Sequence, residues 1–226
     1  MTQCRVVVRE YGRFVDREEA GQLLASELAG IREERAVILG IPRGGVEVAK
    51  EVARLLETDL DIVLTHKIGA PGQEEFAIGA VTESGKVFLD SSPDLAAYRE
   101  YGRQKGAEEF KVLQQRTQGY RKVLPKTALK GRVVVVVDDG VATGFTMQAA
   151  LWAAKQEHPK RLVAAVPVAA ESSLKRLSKY ADEIICLRAS ESFMSVGGFY
   201  MNFGQITDSG VLKILENEAA RRYHTA

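Results

Sequence analysis

The chain has 226 residues, 46% of them hydrophobic and 27% charged, the balance of an ordinary soluble globular protein long enough to bury a core without disulfide or metal staples. Thirty-one Lys and Arg against 30 Asp and Glu leave a net charge of +1, which excludes the broad positive field of a typical nucleic-acid binder, and no nucleic-acid partner is expected. Cys4 and Cys186 lie far apart in no metal-binding pattern, which excludes a disulfide framework and a thiolate zinc site. No apolar run approaches the ~20 residues of a membrane span, so a cytoplasmic protein without a membrane partner is expected.

A short strand is expected at 6–8. Asp16 and Glu19 form a capping box for a helix over about 17–31, with Ala20, Leu23, Leu24, Leu28 and Ile31 on one face. The apolar run 36–41, bounded by Pro42, reads as a strand buried on both faces. A helix over 46–56 and a second buried strand over 61–65 follow, then a hairpin from 76–81 and 86–89. Segment 94–123 is charged and helix-prone, but Gly102, Gly106 and Gly119 predict mobile helical pieces rather than one rod. Residues 132–137 form the strongest strand pattern, with five valines in a row. An Ala-rich helix over 146–156, a strand over 162–168, a helix over 172–179, a strand over 184–187 and an amphipathic helix over 211–222 complete the chain.

Strands that are apolar throughout and alternate with helices predict an α/β fold: a central, mostly parallel sheet with helices on both faces. Ligands of such sheets bind at the carboxyl ends of the strands. That directs attention to three loops, 42–45, 66–73 and 138–146.

In the last of these, Asp138 and Asp139 end a buried strand, where carboxylates cost desolvation unless partnered. Gly140, Val141, Ala142, Thr143, Gly144, Phe145 and Thr146 then lead into a helix, whose N-terminal N–H groups favour an anion. The residues alone leave two readings open: a phosphate cradle facing a polyol or metal, or a tight turn whose acids cap the next helix. In the first loop, Gly44 and Gly45 let backbone approach an anion closely and Arg43 offers a forked donor; a glycine-softened turn is the alternative. In the middle loop, Lys67 stands at the end of a strand in a Gly/Pro turn, placed either for an anion or for solvent.

The string from Val133 to Thr146 resembles the phosphoribosyl-pyrophosphate (PRPP) signature of type I phosphoribosyltransferases: four hydrophobic residues, two acids and a Thr-Gly phosphate loop. The resemblance covers about 36–203 and implies the type I, Rossmann-like fold over one domain, 1–226. Its parts would be a core over about 36–188, an inserted helical lid over about 94–123, a hood over about 189–207 and a terminal helix over about 211–222. It implies that Asp138 and Asp139 bind the ribose 2′- and 3′-hydroxyls and hold Mg²⁺, directly or through water. It also implies that Gly140 to Thr146 wrap the 5′-phosphate, and that Arg43, Gly44, Gly45 and Lys67 bind pyrophosphate. Arg43, Lys67, Asp138 and Asp139 would be the catalytic set, and the Pro42–Arg43 peptide bond would be cis.

Ala142 occupies the position of the acid that 6-oxopurine enzymes of the family use near the purine N7, and the pattern is closer to adenine phosphoribosyltransferases. The stretch from Thr65 to Pro71 is similar to the Arg-Lys-x-Gly-Lys-x-Pro element of those enzymes, with His66 where Arg is usual. Tyr98 to Gly102 resembles their Glu-Tyr-Gly lid, which makes Glu100 a candidate proton donor beside the simpler reading of a solvated helix residue. Phe193 to Phe203 looks like the hood of a group of bacterial phosphoribosyltransferase-like proteins. Phe193, Phe199 and Tyr200 would there contact a small heterocyclic acceptor, unless they pack the end of the sheet. The implied function is Mg²⁺-dependent transfer of phosphoribose from PRPP to a nucleobase-like nitrogen with release of pyrophosphate, as in nucleotide salvage. The alternatives are a PRPP sensor without turnover and a phosphoribosyl hydrolase or binding partner. Segment 6–8 and the tail helix are expected to seal either a sheet edge or a dimer interface, and a homodimer is the expected assembly.

Overall fold

The computed structural model describes residues 3–6, 12–90 and 93–225. Val7 and Val8 of the first expected strand lie outside them. Strand β1 runs Gln3–Val6. Helix α1, Arg17–Glu27, is capped by Asp16, whose Oδ1 accepts the Glu19 N–H at 3.0 Å, while Glu19 Oε2 accepts the Val15 N–H at 2.6 Å. The expected helix to residue 31 ends as a separate 3-10 turn, Ala29–Ile31. Strand β2 (Val37–Gly40), helix α2 (Gly44–Leu56) and strand β3 (Asp59–Ile62) follow. Three antiparallel strands come next: β4 (Thr65–Ala70), β5 (Gln73–Thr82) and β6 (Val87–Leu89). Helix α3 is Arg99–Val123. Strand β7 (Val133–Val137), helix α4 (Phe145–Lys155), strand β8 (Arg161–Ala170), helix α5 (Glu171–Leu177), strand β9 (Glu183–Ser190) and helix α6 (Asp208–Thr225) complete the described chain.

The large sheet has the order β1-β9-β8-β7-β2-β3, and every pairing in it is parallel. The β7 valines explain why. All five are 0% exposed, yet successive side chains of a strand point to opposite faces. Val133, Val135 and Val137 pack with Leu24, Val48 and Val52 of α1 and α2, while Val134 and Val136 pack with Met147, Leu151 and Leu174 of α4 and α5. A strand with no wet face belongs in the centre of a covered parallel sheet.

The exposed edge at β3 is closed by side chains of α6. Glu218, 7% exposed, accepts the Leu60 N–H at 3.2 Å, and Arg222 donates to the Leu60 carbonyl. Arg221 donates to the Thr58 carbonyl at 3.0 Å. A carboxylate and two guanidiniums thus take the hydrogen bonds a further strand would make, which removes a template for edge pairing. Of the two expected uses of the tail helix, the structure has the edge seal within the chain.

Three expectations are corrected. The strand at 61–65 is displaced: β3 ends at Ile62 and a new strand starts at Thr65. The loop expected at 66–73 is mostly β4, which pairs antiparallel with β5 around register shifts at Ile68, Gly69 and Ala70. Its polar residues obscured the alternation, because only Ile68 and Ala70 are buried, as in a half-exposed antiparallel strand. Finally, 94–123 is not broken into pieces: after the 3-10 turn Pro93–Tyr98, α3 is one helix of 25 residues.

Two glycines that argued against that helix are its packing face. A β-carbon on Gly102 would meet Leu89, and one on Gly106 would lie 2.6 Å from Val87 Cγ2, so the bare backbone sits directly on β6. Gly106→Ala is therefore expected to destabilise by about 1–3 kcal/mol despite the better helix former. Gly119→Ala, whose β-carbon meets nothing within 4 Å, is expected to stabilise by about 0.5–1 kcal/mol. Urea denaturation reads both, and changes of the same sign would refute the packing account. Among the described residues, no helix is long and apolar enough to cross a membrane.

Candidate active site

The loops after β2 and β7 meet because α2 starts hard against the end of β7. A β-carbon on Gly45 would stand 2.7 Å from the Val137 carbonyl oxygen and 2.8 Å from Asp138 Cα, and one on Gly44 would overlap Asp139 Oδ2. The two glycines are thus required for loop to touch loop, a closer constraint than an anion's approach alone. The Pro42–Arg43 peptide bond is cis, as the resemblance implied. Arg43 is exposed, makes no ion pair with a described residue, and its charge is felt at Tyr120 of α3.

Asp138 and Asp139 end β7 side by side. Asp138 Oδ1 accepts the Asp139 N–H at 2.9 Å. Asp139 Oδ2 accepts from Arg17 Nε at 2.8 Å, with the two side chains 14% and 7% exposed. Burial, and then the neighbouring Asp139 carboxylate, hold the Asp138 carboxyl well above its ordinary range. Burial raises Asp139 as well, against the opposing pull of the Arg17 guanidinium. Two acids share one cation, so the strand end carries an excess of negative charge that hydroxyl donors or a hard divalent ion would relieve. Among the described residues there is no cluster of three or more metal-ligating side chains.

The following loop is pinned on one side and open on the other. The Val141 N–H donates to the Val168 carbonyl at 2.9 Å and the Val141 carbonyl accepts from Ala170 N–H at 2.9 Å, so Val141 offers no free amide to a ligand as it stands. Ser173 Oγ donates to the Ala142 carbonyl. A β-carbon on Gly140 would lie 2.5 Å from Val196 Cγ1, seating the hood on the loop. Gly144, at φ +83°, turns the chain into α4, a left-handed conformation that favours glycine. Phe145 is 8% exposed and serves as an anchor: its ring meets Phe76 of β5 edge-on at 6.0 Å, and the Arg176 guanidinium lies 4.3 Å from its centroid. Ala142, Thr143 and Thr146 are exposed, and neither threonine hydroxyl bonds a described residue. The open side of the loop therefore consists of hydroxyls and first-turn N–H groups, which have no intrahelical acceptors.

Lys67 lies within β4, in the wall of a cleft of about 420 Å³ shared with Tyr101, Lys105 and Glu109. His66 Nε2 is 3.1 Å from Glu109 Oε2. His66 also lines a neighbouring cleft of about 460 Å³ with Thr65, Arg116, Tyr120 and Asp208. Arg116 lines this cleft too, its Nε 3.8 Å from Asp208 Oδ1. Glu100, with a side chain 74% exposed, pairs only with Gln104 and Arg103 of its own helix among the described residues and faces solvent, the simpler of its two readings. A third cavity, about 260 Å³ and walled by Leu64, Phe88, Leu129 and Ala153, shares no residue with either anion loop.

The hood is stitched to the start of the chain through Phe14 N–H to Phe199 carbonyl at 2.8 Å and Met201 N–H to Phe14 carbonyl at 2.7 Å. Phe193 and Phe199 stack on each other at 5.1 Å. Tyr200 is 2% exposed beside Phe14, and its hydroxyl donates to the Asp139 carbonyl at 2.6 Å. That placement makes Tyr200 a brace for the acid pair rather than an open face. Phe203, a hood ring with no role expected from the sequence, is exposed and touches residues that hold Asp139. It lies 5.0 Å from Tyr200 and 3.9 Å from the Arg17 guanidinium carbon. Arg17 was missed altogether. Its one local signal is a cation in the first turn of a helix, where the dipole disfavours it.

Residues 15–203 match the model of the phosphoribosyl transferase domain. Two curated Mycobacterium tuberculosis proteins, "Putative phosphoribosyl transferase Rv0571c" of strain H37Rv and its counterpart MT0597 of strain CDC 1551, are each 38% identical over 205 residues. The match covers 90% of this chain and 46% of each relative, so the chain spans about half the length of the curated relatives it matches. The crystal structure of TT1426 from Thermus thermophilus is similar at 49% identity and a TM-score of 0.86, covering 91% of this chain and 98% of that one.

Proposed function

Because this chain is a member of the type I phosphoribosyltransferase family, we propose that it transfers the 5-phosphoribosyl group of PRPP to a nitrogen of a nucleobase-like acceptor, releasing pyrophosphate. One observation carries the reading: the half-buried acid pair Asp138–Asp139, sharing one cation, opens directly onto the loop whose free hydroxyls and helix N-terminus suit a phosphate. Asp138 and Asp139 would take the ribose 2′- and 3′-hydroxyls, and Ala142 to Thr146 the 5′-phosphate.

The bond from ribose C1 to the pyrophosphate oxygen breaks as the acceptor nitrogen bonds to C1, through an oxocarbenium-like transition state. Negative charge then grows on the leaving group, where Arg43, the Gly44 and Gly45 backbone and Lys67 would meet it, with Arg116 on the adjoining wall. Phe203 and the Phe193–Phe199 stack would receive the planar acceptor. The two carboxylates, hard oxygen donors in excess over their one cation, suit Mg²⁺, which would supply charge neutralisation at the pyrophosphate when bound. In this reading α3 is a standing wall of the site, and two copies of the chain would assemble as a dimer.

The second reading, PRPP sensing without turnover, is favoured by two observations: Ala142 stands where an acid serves other members, and Glu100 faces solvent, so neither of these two positions supplies a general base. Incubation with PRPP, Mg²⁺ and a panel of nitrogen heterocycles tests both readings. Pyrophosphate release that depends on one acceptor is expected. Tight PRPP binding with no release for any acceptor would replace transfer by sensing, and absence of PRPP binding would overturn both.

A further inference from the structure

Arg17 is a costly residue. It opens α1, where a cation opposes the helix dipole, and it is 6% exposed. What holds it there is a set of contacts from three separate parts of the chain. Nε donates to Asp139 Oδ2 at 2.8 Å, one terminal nitrogen donates to the Gly204 carbonyl at 2.9 Å and lies 3.8 Å from Glu47 Oε2, and the guanidinium plane covers the Phe203 ring at 3.9 Å. Among the described residues, no other side-chain donor reaches either carboxyl group of the acid pair.

Asp139 is consequently held at one carboxylate oxygen and at its backbone carbonyl. Gly44 leaves room for Oδ2 and nothing larger, Arg17 binds that same oxygen, and Tyr200 holds the backbone carbonyl. One carboxylate oxygen is consumed by the protein and the other is left to a ligand in a single orientation. The guanidinium that sets this orientation also supports Phe203 and the chain at Gly204, so the acid and the hood ring stand on one post.

Building on the reading proposed above, we infer that Arg17 is the positioning residue for ribose recognition: it aims Asp139 at the sugar diol and locks the hood ring Phe203 beside it. The ligand class this arrangement selects is a ribose 5-phosphate with both the 2′- and 3′-hydroxyls present. A sugar lacking the 2′-hydroxyl leaves a half-buried carboxylate oxygen, held in place by Arg17, without a ligand donor, the situation in which polar sites discriminate most strongly.

Calorimetry of the full chain with ribose 5-phosphate, 2-deoxyribose 5-phosphate and inorganic phosphate tests the assignment. The unaltered protein is expected to prefer ribose 5-phosphate over the deoxy sugar by at least about tenfold. In Arg17→Met that preference is expected to fall below about twofold, while affinity for inorganic phosphate at the 143–146 loop changes less than about twofold. A general structural lesion would instead weaken all three ligands together. Arg17→Lys keeps the charge without the planar fork and serves should the methionine variant fail to fold; it is expected to lose at least about half of the logarithmic preference. Unchanged preference in the folded variant, or a parallel loss of inorganic phosphate, overturns the role of Arg17. Failure of the unaltered protein to bind ribose 5-phosphate overturns the functional reading, and this assignment with it.

Discussion

Asp138→Asn is expected to abolish binding of PRPP and ribose 5-phosphate and, at the same time, to make the ligand-free protein more stable. Asp138 is half-buried at the end of β7 beside Asp139, and the only described donor to its carboxyl is the Asp139 N–H. Burial first, and the neighbouring carboxylate second, raise its pKa well above the ordinary 3.8. The folded protein therefore binds a proton there more tightly than the unfolded chain. Stability is fully present below about 3.8 and is lost as pH rises through the folded-state value. Asparagine removes the charge without changing the shape, so a gain of about 1–3 kcal/mol at neutral pH is expected, or roughly 2–10 °C in Tm for a chain of this size.

Asp139→Asn should lose the same binding without the same gain, because it takes away the carboxylate that compensates buried Arg17. Scanning calorimetry from pH 5 to 8 reads both. The unaltered protein is expected to melt lower as pH rises, and Asp138→Asn to flatten that slope. An Asp138→Asn variant that melts below the parent, or binds ribose 5-phosphate with parental affinity, would remove the acid pair from the site.

The largest loss of stability is expected from Arg121→Met. Arg121 lies near the end of α3 and ties together elements of both sheets. It donates to Asp61 Oδ1 at 2.6 Å, to Glu83 at 2.7 and 3.1 Å, and to the Ile62 carbonyl at 3.0 Å. Asp61 and Glu83 have side chains only 1% and 11% exposed. Removing the cation leaves the charge of buried Asp61 with only the Ile62 and Thr127 N–H groups, each at 2.7 Å, and half-buried Glu83 without its guanidinium. A loss of about 3 kcal/mol is expected, the lower end of the usual penalty for breaking a buried pair. Lys126, 3.0 Å from Glu83, relieves only part of it.

The pH response has the opposite sign from that of Asp138. Burial pushes Glu83 up, but Arg121 and then Lys126 outweigh it and hold the carboxyl below its ordinary 4.5. Its contribution is present above about pH 4.5 and is lost as pH falls through the lowered value. Arg121→Met should therefore move the midpoint of acid unfolding upward as well as lowering Tm. Adding Asp61→Asn and Glu83→Gln should restore most of the loss, since a neutralised cluster carries no stranded charge. Denaturant melts of the single and triple variants check this, and a single variant within about 1 kcal/mol of the parent would show the network to be dispensable.

Of the expected elements, those resting on local pattern agree best with the structure. The five valines are a buried central strand because no arrangement with a wet face accommodates them, and the Asp16–Glu19 capping box closes on α1. The acid pair and the Gly-Thr loop lie at a strand end before a helix, as their order along the chain implies. The expectations that needed revision depended on partners elsewhere. Gly102 and Gly106 argue for a break when α3 is taken alone and for close packing once β6 lies beneath them. Polar β4 has little strand character until β5 pairs with it.

What the chain's own order of residues determined is therefore the alternation that builds a covered parallel sheet, and the identity of the chemical groups gathered at its carboxyl edge. Both follow from chemistry within a dozen neighbouring positions, namely burial period, turn-forming glycines and acids facing a helix start. Only the tertiary structure decided that Arg17, 122 residues from Asp139, is its counter-charge, that Tyr200 braces it and that Phe203 is the ring beside it. The physical reason is range: a first-turn arginine or a hood aromatic has no fixed meaning until packing brings another buried group within hydrogen-bonding distance.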